Sequence, residues 1–241
     1  MEKSKRILHG IVAVVFVSIA VTGLVLLWGG RGGNVSYVET ACSFEGENLD
    51  CVETIPEWNE GLRFYDSTLS VTKDTLASLK ALLWEHWNIE FAGAGTAAVS
   101  MESVLPLQVL RQKKSGCVGL TWLALMIAEK RNIDLEAILL PGHVFLRYHE
   151  KNLEPNRQGF SYTDEEYREK YKSGNWTGLE FKPLASRQLV GLAAFDIGNL
   201  FLDSEPRKAL SWFRMAEQFF PEYPGVEINL KIAKSRLHQN P

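Results

Sequence analysis

The feature that most constrains this chain is an apolar helical pattern opening at Ser115-Gly116-Cys117-Val118-Gly119-Leu120. After a strand-like run it is followed by Pro141-Gly142-His143 and then by Asn152-Leu153-Glu154-Pro155. Glu136 to Leu140 reads as a buried strand, Pro141-Gly142 as a turn and Val144 to Tyr148 as a second strand, so His143 stands where one strand hands over to the next. Residues 152 to 154 read as a third, adjacent strand, which puts His143 and Glu154 side by side. Read singly, a Cys at the head of an apolar helix is a buried small hydrophobe and a His after Pro-Gly is a turn residue. Taken in order, the thiol, the imidazole and the carboxylate point to a Cys-His-acid nucleophile system.

The chemistry asks for these residue types. A free thiol titrates near ~8.5, and a helix N-terminus together with a neighbouring imidazolium favours the thiolate. Gly116 allows a tight turn before the helix and exposes amide groups able to receive an oxyanion. His143 then serves as general base and later general acid, and Glu154 holds its ring in one tautomer. Gln108 and Gln112 are candidates for a side-chain amide at the oxyanion site, and their spacing to Cys117 selects neither.

The N-terminus sets where such chemistry takes place. Residues 1 to 6 form a short basic head, and Ile7 to Trp28 is an apolar run interrupted only by His9 and small residues. At about 1.5 Å per helical residue this run spans the roughly 30 Å of a bilayer core. Lys3, Lys5 and Arg6 outweigh Arg31, so the head is expected in the cytoplasm and everything after Trp28 outside it. The end of the run offers no good small-x-small cleavage site, which favours an uncleaved anchor over a secretory signal. Gly29-Gly30-Arg31-Gly32-Gly33-Asn34 reads as a flexible tether.

Three cysteines complete that picture. Cys42 and Cys51 lie close together in a polar segment, and Cys117 stands alone in the apolar pattern. A small-loop disulfide between the first two suits an oxidising compartment and leaves one free thiol; two unpaired surface thiols are the alternative. No Cys or His pair has zinc-site spacing, and His9, His86, His149 and His238 are scattered. Ala92 to Ala98 is Gly-rich but lacks both the ending of a phosphate loop and a dinucleotide fingerprint, so no metal or cofactor is expected. With 26 basic against 29 acidic side chains and no basic tract beyond the head, nothing points to nucleic acid.

The flanking segments read as helical. Thr72 to Trp87 has leucines at helical spacing, with Trp84 and Trp87 as core bulk, and Ser103 to Arg111 predicts a short helix leading to the nucleophile. Thr163 and Glu166 form a capping-box pattern for a charged helix reaching Tyr171. Leu184 to Leu202 and Pro206 to Phe220 predict two amphipathic helices, with a third over Glu227 to Leu237.

Several short motifs occur in a family's order: Leu107-x-x-Leu110-Arg111, Gly116-Cys117-x-Gly119-Leu120, Ala128 at the helix end, Pro141-Gly142-His143 and an acid-Pro dipeptide. Over roughly residues 70 to 225 the chain resembles the SirB-type branch of the transglutaminase-like superfamily. The resemblance implies an α+β, papain-like core in which a Cys-bearing helix packs on a small antiparallel sheet. It assigns Cys117 to the nucleophile position, His143 to the base and Glu154 to the acid. The family pattern more often has Asp at the acid position; the extra methylene of Glu154 calls for a different strand spacing or a retracted rotamer. Gly198, Phe201, Ala209, Phe213, Ala216 and Pro221 resemble a tetratricopeptide repeat, a unit that SirB-type proteins often carry. One such repeat cannot form a solenoid. The pair therefore docks on the core as a cap, or offers a groove to a protein partner gripped by Asn199 or Asn229.

The expected organisation is a head (1–6), an anchor (7–28), a tether with the Cys-containing loop (29–56), a transglutaminase-like domain (57–180) and a repeat-like hairpin (181–241). The expected function is thiol acyl transfer on a peptide or protein substrate through a Cys117 thioester, as protease, amidase or transferase. The alternative is a catalytically silent scaffold that binds a protein partner at the membrane.

Overall fold

The computed structural model describes residues 33–93 and 95–239, so the basic head, the apolar run 7–28 and most of the tether lie outside the described residues. Among the described residues no helix is long and apolar enough to cross a membrane. The first helix of the described residues is α1 (Tyr37–Phe44), capped by Ser36. It continues through α2 (Pro56–Thr72) and α3 (Thr75–Lys80), which runs on into a π-helical turn, Ala81–His86. The helix expected from Thr72 thus starts later: Lys73 ends α2 in the left-handed region, and the Asp74 side chain caps the Ala77 N–H. Trp84 and Trp87 are buried, as a core role requires.

Strand β1 (Glu90–Phe91) is followed by α4 (Met101–Val104), α5 (Pro106–Gln112) and β2 (Lys114–Ser115), which pairs in parallel with β1. The single helix expected over 103–111 is two helices. Pro106 pushes Leu105 into an extended conformation (φ −82°, ψ 123°), so the chain breaks there and restarts with proline in its first turn.

Helix α6 (Cys117–Arg131) is apolar on every side and buried from Val118 to Ala128. A helix of that character requires cover all round. Helix α1 covers one side: Trp122 donates its indole N–H to the Tyr37 carbonyl at 3.0 Å and meets Phe44 edge-on at 5.4 Å. The sheet of β3 (Leu135–Leu140), β4 (His143–Tyr148) and β5 (Lys151–Leu153) covers another, all pairs antiparallel. Strand alternation divides its side chains between two clusters. Ala137, Leu139, Val144 and Leu146 join the main core, whereas Ile138, Leu140 and Phe145 join a smaller one with Tyr167 of α7 (Asp164–Lys170). The capping box of Thr163 and Glu166 forms as expected.

Helices α8 (Ser186–Phe201), α9 (Pro206–Phe219) and α10 (Pro224–Gln239) close the chain. A Cβ on Gly198 would lie 2.5 Å from the Phe213 ring, so glycine is what lets α8 and α9 approach. Leu189 and Val190 of α8 and Phe213 of α9 belong to the same core cluster as Trp122 and Leu146, so that core runs without a break across the 180/181 division expected from sequence. The Asn229 amide donates to the Asn199 side-chain oxygen at 2.6 Å, which links the two side chains read as peptide-gripping.

Cys42 and Cys51 form a disulfide that joins α1 to a 3-10 turn at Cys51–Thr54. Both are buried, at 0% and 8% exposure, so the alternative of surface thiols is set aside.

Candidate active site

Cys117 is the first residue of α6 and the free cysteine of the described residues, half-buried at the helix start. Its turn is held from three directions. The Gly116 N–H donates to the Ser103 carbonyl at 3.0 Å, and the buried Ser115 hydroxyl reaches the Gly116 carbonyl at 2.7 Å. A Cβ at Gly116 would stand 2.0 Å from the Ala98 carbonyl oxygen, so only glycine admits the 95–99 segment crossing here. The first-turn amides of α6 lack intrahelical acceptors and face the same end of the helix as the thiol.

His143 opens β4, paired with Leu140 across the two-residue turn Pro141-Gly142. Gly142 sits at φ +66°, where glycine is favoured, and the turn fixes His143 one residue earlier in the strand than the sequence suggested. Glu154 follows β5 and starts a 3-10 turn, with its backbone bridged to Phe160. The imidazole Nε2 and the Glu154 Oε2 are 2.8 Å apart in a setting that leaves the two residues 7% and 1% exposed. An ionised carboxylate only accepts, so Nε2 carries the proton and Nδ1 is the nitrogen left for the thiol.

Electrostatics tie the three groups together. Burial alone would lower the His143 pKa. The negative charge and hydrogen bonding of Cys117, then those of Glu154, outweigh it and raise the pKa to about 9. Burial likewise pushes the Glu154 carboxyl up, but the hydrogen bond and charge of His143, the Asn156 N–H and the Tyr167 hydroxyl hold it below the usual carboxylate range. The Cys117 side chain hydrogen-bonds His143 and His143 in turn pairs with Glu154, so the three groups lie together in the order that the sequence predicts.

Gln108 is not part of it: its amide donates to Glu45 at 2.8 Å, on the side of α5 where Arg111 pairs with the same carboxylate. Gln112 is exposed.

Two aromatic residues to which the sequence pattern gave no role at the site complete it. Tyr167 and Tyr171, four residues apart, follow the spacing of His143 and Phe145 on β4. Tyr171 lies parallel to the His143 ring, 5.6 Å between centroids and 4° between planes, and Tyr167 stacks on Phe145 at 4.3 Å. The i, i+4 tyrosine pair after a capping box was the available signal. What the sequence lacked was the strand against which the helix docks. Docking comes from a half-buried polar brace. Arg147 and Asn152, opposite each other in the β4–β5 register, bond at 2.8 Å and both reach Asp164 at the start of α7, at 2.6 and 2.8 Å.

Comparison with curated proteins and with solved structures gives no match. The family model described as the transglutaminase-like superfamily matches residues 53–190, more than half of the chain, and the matched stretch contains Cys117, His143 and Glu154. With its thiol-bearing helix against a small antiparallel sheet in an α+β fold, this chain belongs to the transglutaminase-like superfamily.

Proposed function

We propose that the protein is a thiol acyl-transfer enzyme of the SirB-type branch, cleaving or transferring an amide of a peptide or protein through a thioester on Cys117. The observation that carries this reading is the chain of contacts from Cys117 through His143 to Glu154 within a superfamily fold suited to cysteine-dependent acyl transfer and hydrolysis.

The steps follow from the geometry. The Cys117 thiolate attacks the amide carbon, and the carbonyl oxygen takes up the electron pair opposite the first-turn amides of α6. His143 delivers its Nδ1 proton to the leaving nitrogen as the C–N bond breaks, leaving an acyl-thioester and an amine. Water or a second amine then attacks the thioester carbon and gives its proton to His143, and the C–S bond breaks to restore the thiolate. Glu154 keeps the Nε2 proton in place throughout.

The apolar run 7–28 anchors this domain, with the head cytoplasmic and the site outside. The buried Cys42–Cys51 disulfide supports an oxidising compartment. The tetratricopeptide-like pair α8 and α9 acts as a cap, a reading supported by the core that α8 shares with α6.

The test sets catalysis against a scaffold role. At matched expression, Cys117→Ala and Cys117→Ser abolish the cellular function while the fold persists, whereas Phe213→Ala, costing about 3 to 5 kcal/mol, acts only through stability. Full function in Cys117→Ala with loss in Phe213→Ala would replace the enzyme with a binding module.

A further inference from the structure

The side chain of Glu154 has one more methylene than the aspartate it stands for, and so one more torsion to fix. Three donors fix it. Oε1 accepts the Asn156 backbone N–H at 3.0 Å, and Oε2 accepts both His143 Nε2 at 2.8 Å and the Tyr167 hydroxyl at 3.1 Å. Tyr167 is fully buried, its ring flat against Phe145, and its hydroxyl donates to Glu154. A phenylalanine would fill the same space without bringing a polar group into the core, where a hydroxyl costs stability unless it is bonded. The hydroxyl is thus explained by the carboxylate and not by packing.

Its position on Oε2 matters. A buried carboxylate with a single cationic neighbour tends to recombine with that neighbour's proton, which would leave a neutral acid beside a neutral ring. A second donor on the same oxygen spreads the charge, so the proton stays on Nε2 and Nδ1 remains available to the thiol. The arrangement holds because the Arg147–Asn152–Asp164 brace sets the start of α7 one turn before Tyr167.

We propose that the Tyr167 hydroxyl is a positioning group for the reaction: it holds Glu154 ionised and aimed at His143, and so sets the acid limit of the pH range over which Cys117 is nucleophilic. The inference rests on the reading of Cys117 as a nucleophile paired with His143.

The experiment follows the rate of Cys117 alkylation by iodoacetamide, by mass spectrometry, from about pH 4 to pH 8. Oxidised protein is used, so that Cys42 and Cys51 do not react. In Tyr167→Phe the acid limb of the profile moves up by about one pH unit, a tenfold lower rate on the limb, while the plateau rate is kept. A purely structural role for Tyr167 would lower the melting temperature and leave the limb in place. In a Glu154→Gln background the Tyr167→Phe change adds no further shift, because the hydroxyl acts through the carboxylate. A Tyr167→Phe limb superimposed on the wild-type one, or an equal shift in both backgrounds, would overturn the inference and leave the nucleophile reading standing. A wild-type profile identical to that of His143→Gln would overturn both.

Discussion

His143 Nε2 stands 2.8 Å from Glu154 Oε2, and the two side chains are almost sealed from water. A charged pair in that position depends on each partner for its ionisation. Glu154→Gln keeps the shape and an acceptor oxygen but removes the charge, so the imidazolium loses support. The His143 midpoint should fall from about 9 toward the ordinary histidine value, with nucleophilic reactivity lost about tenfold for each unit of the fall. An NMR titration of the His143 ring reads it directly; an unchanged midpoint would mean that Glu154 does not act on the ring.

The same pair makes stability depend on pH at both ends. His143 has a folded pKa of about 9, above its ordinary 6.5, so its contribution is complete below about 6.5 and is lost as pH rises through 9. Glu154 is shifted the other way, so its contribution is present above 4.5 and disappears as pH falls through its lowered folded pKa. The melting temperature should therefore lie on a plateau between these limits. His143→Gln should flatten the alkaline fall, which thermal denaturation at stepped pH measures.

The disulfide closes a short loop with nine residues of sequence separation between Cys42 and Cys51. Replacing both by alanine should cost about 2 to 3 kcal/mol, seen as a lower denaturant midpoint, and should leave Cys117 reactive. In cells the pair should resist alkylation until reduced, while Cys117 labels without reduction. Labelling of all three thiols in untreated cells would argue against an oxidising compartment.

The sequence was most legible where one local signal decides the outcome. The apolar helical pattern opening at Ser115-Gly116-Cys117 marked the central helix, Pro141-Gly142 marked the hairpin turn, and Thr163 with Glu166 marked the start of α7. Legibility ended where tertiary contacts decide. Leu105-Pro106 breaks a helix that leucine spacing alone would continue, and Lys80 leads into a π turn that no propensity announces. Gln108 carries the right chemistry for an oxyanion site, but Glu45, 63 residues earlier, claims its amide. Tyr167 and Tyr171 were visible as residues of a charged helix, yet their roles exist only because Arg147, Asn152 and Asp164 lay that helix over β4.

The central claim is that Cys117 accepts an acyl group with the help of His143, and an activated ester tests it without knowledge of the natural substrate. Oxidised protein mixed with p-nitrophenyl acetate should release a burst of about one equivalent of p-nitrophenolate, with the acetyl group found on Cys117 by peptide mass spectrometry. The burst should be absent in Cys117→Ala and at least about tenfold slower in His143→Gln. Acetylation spread over lysines, with the same release in wild type and Cys117→Ala, would contradict the account.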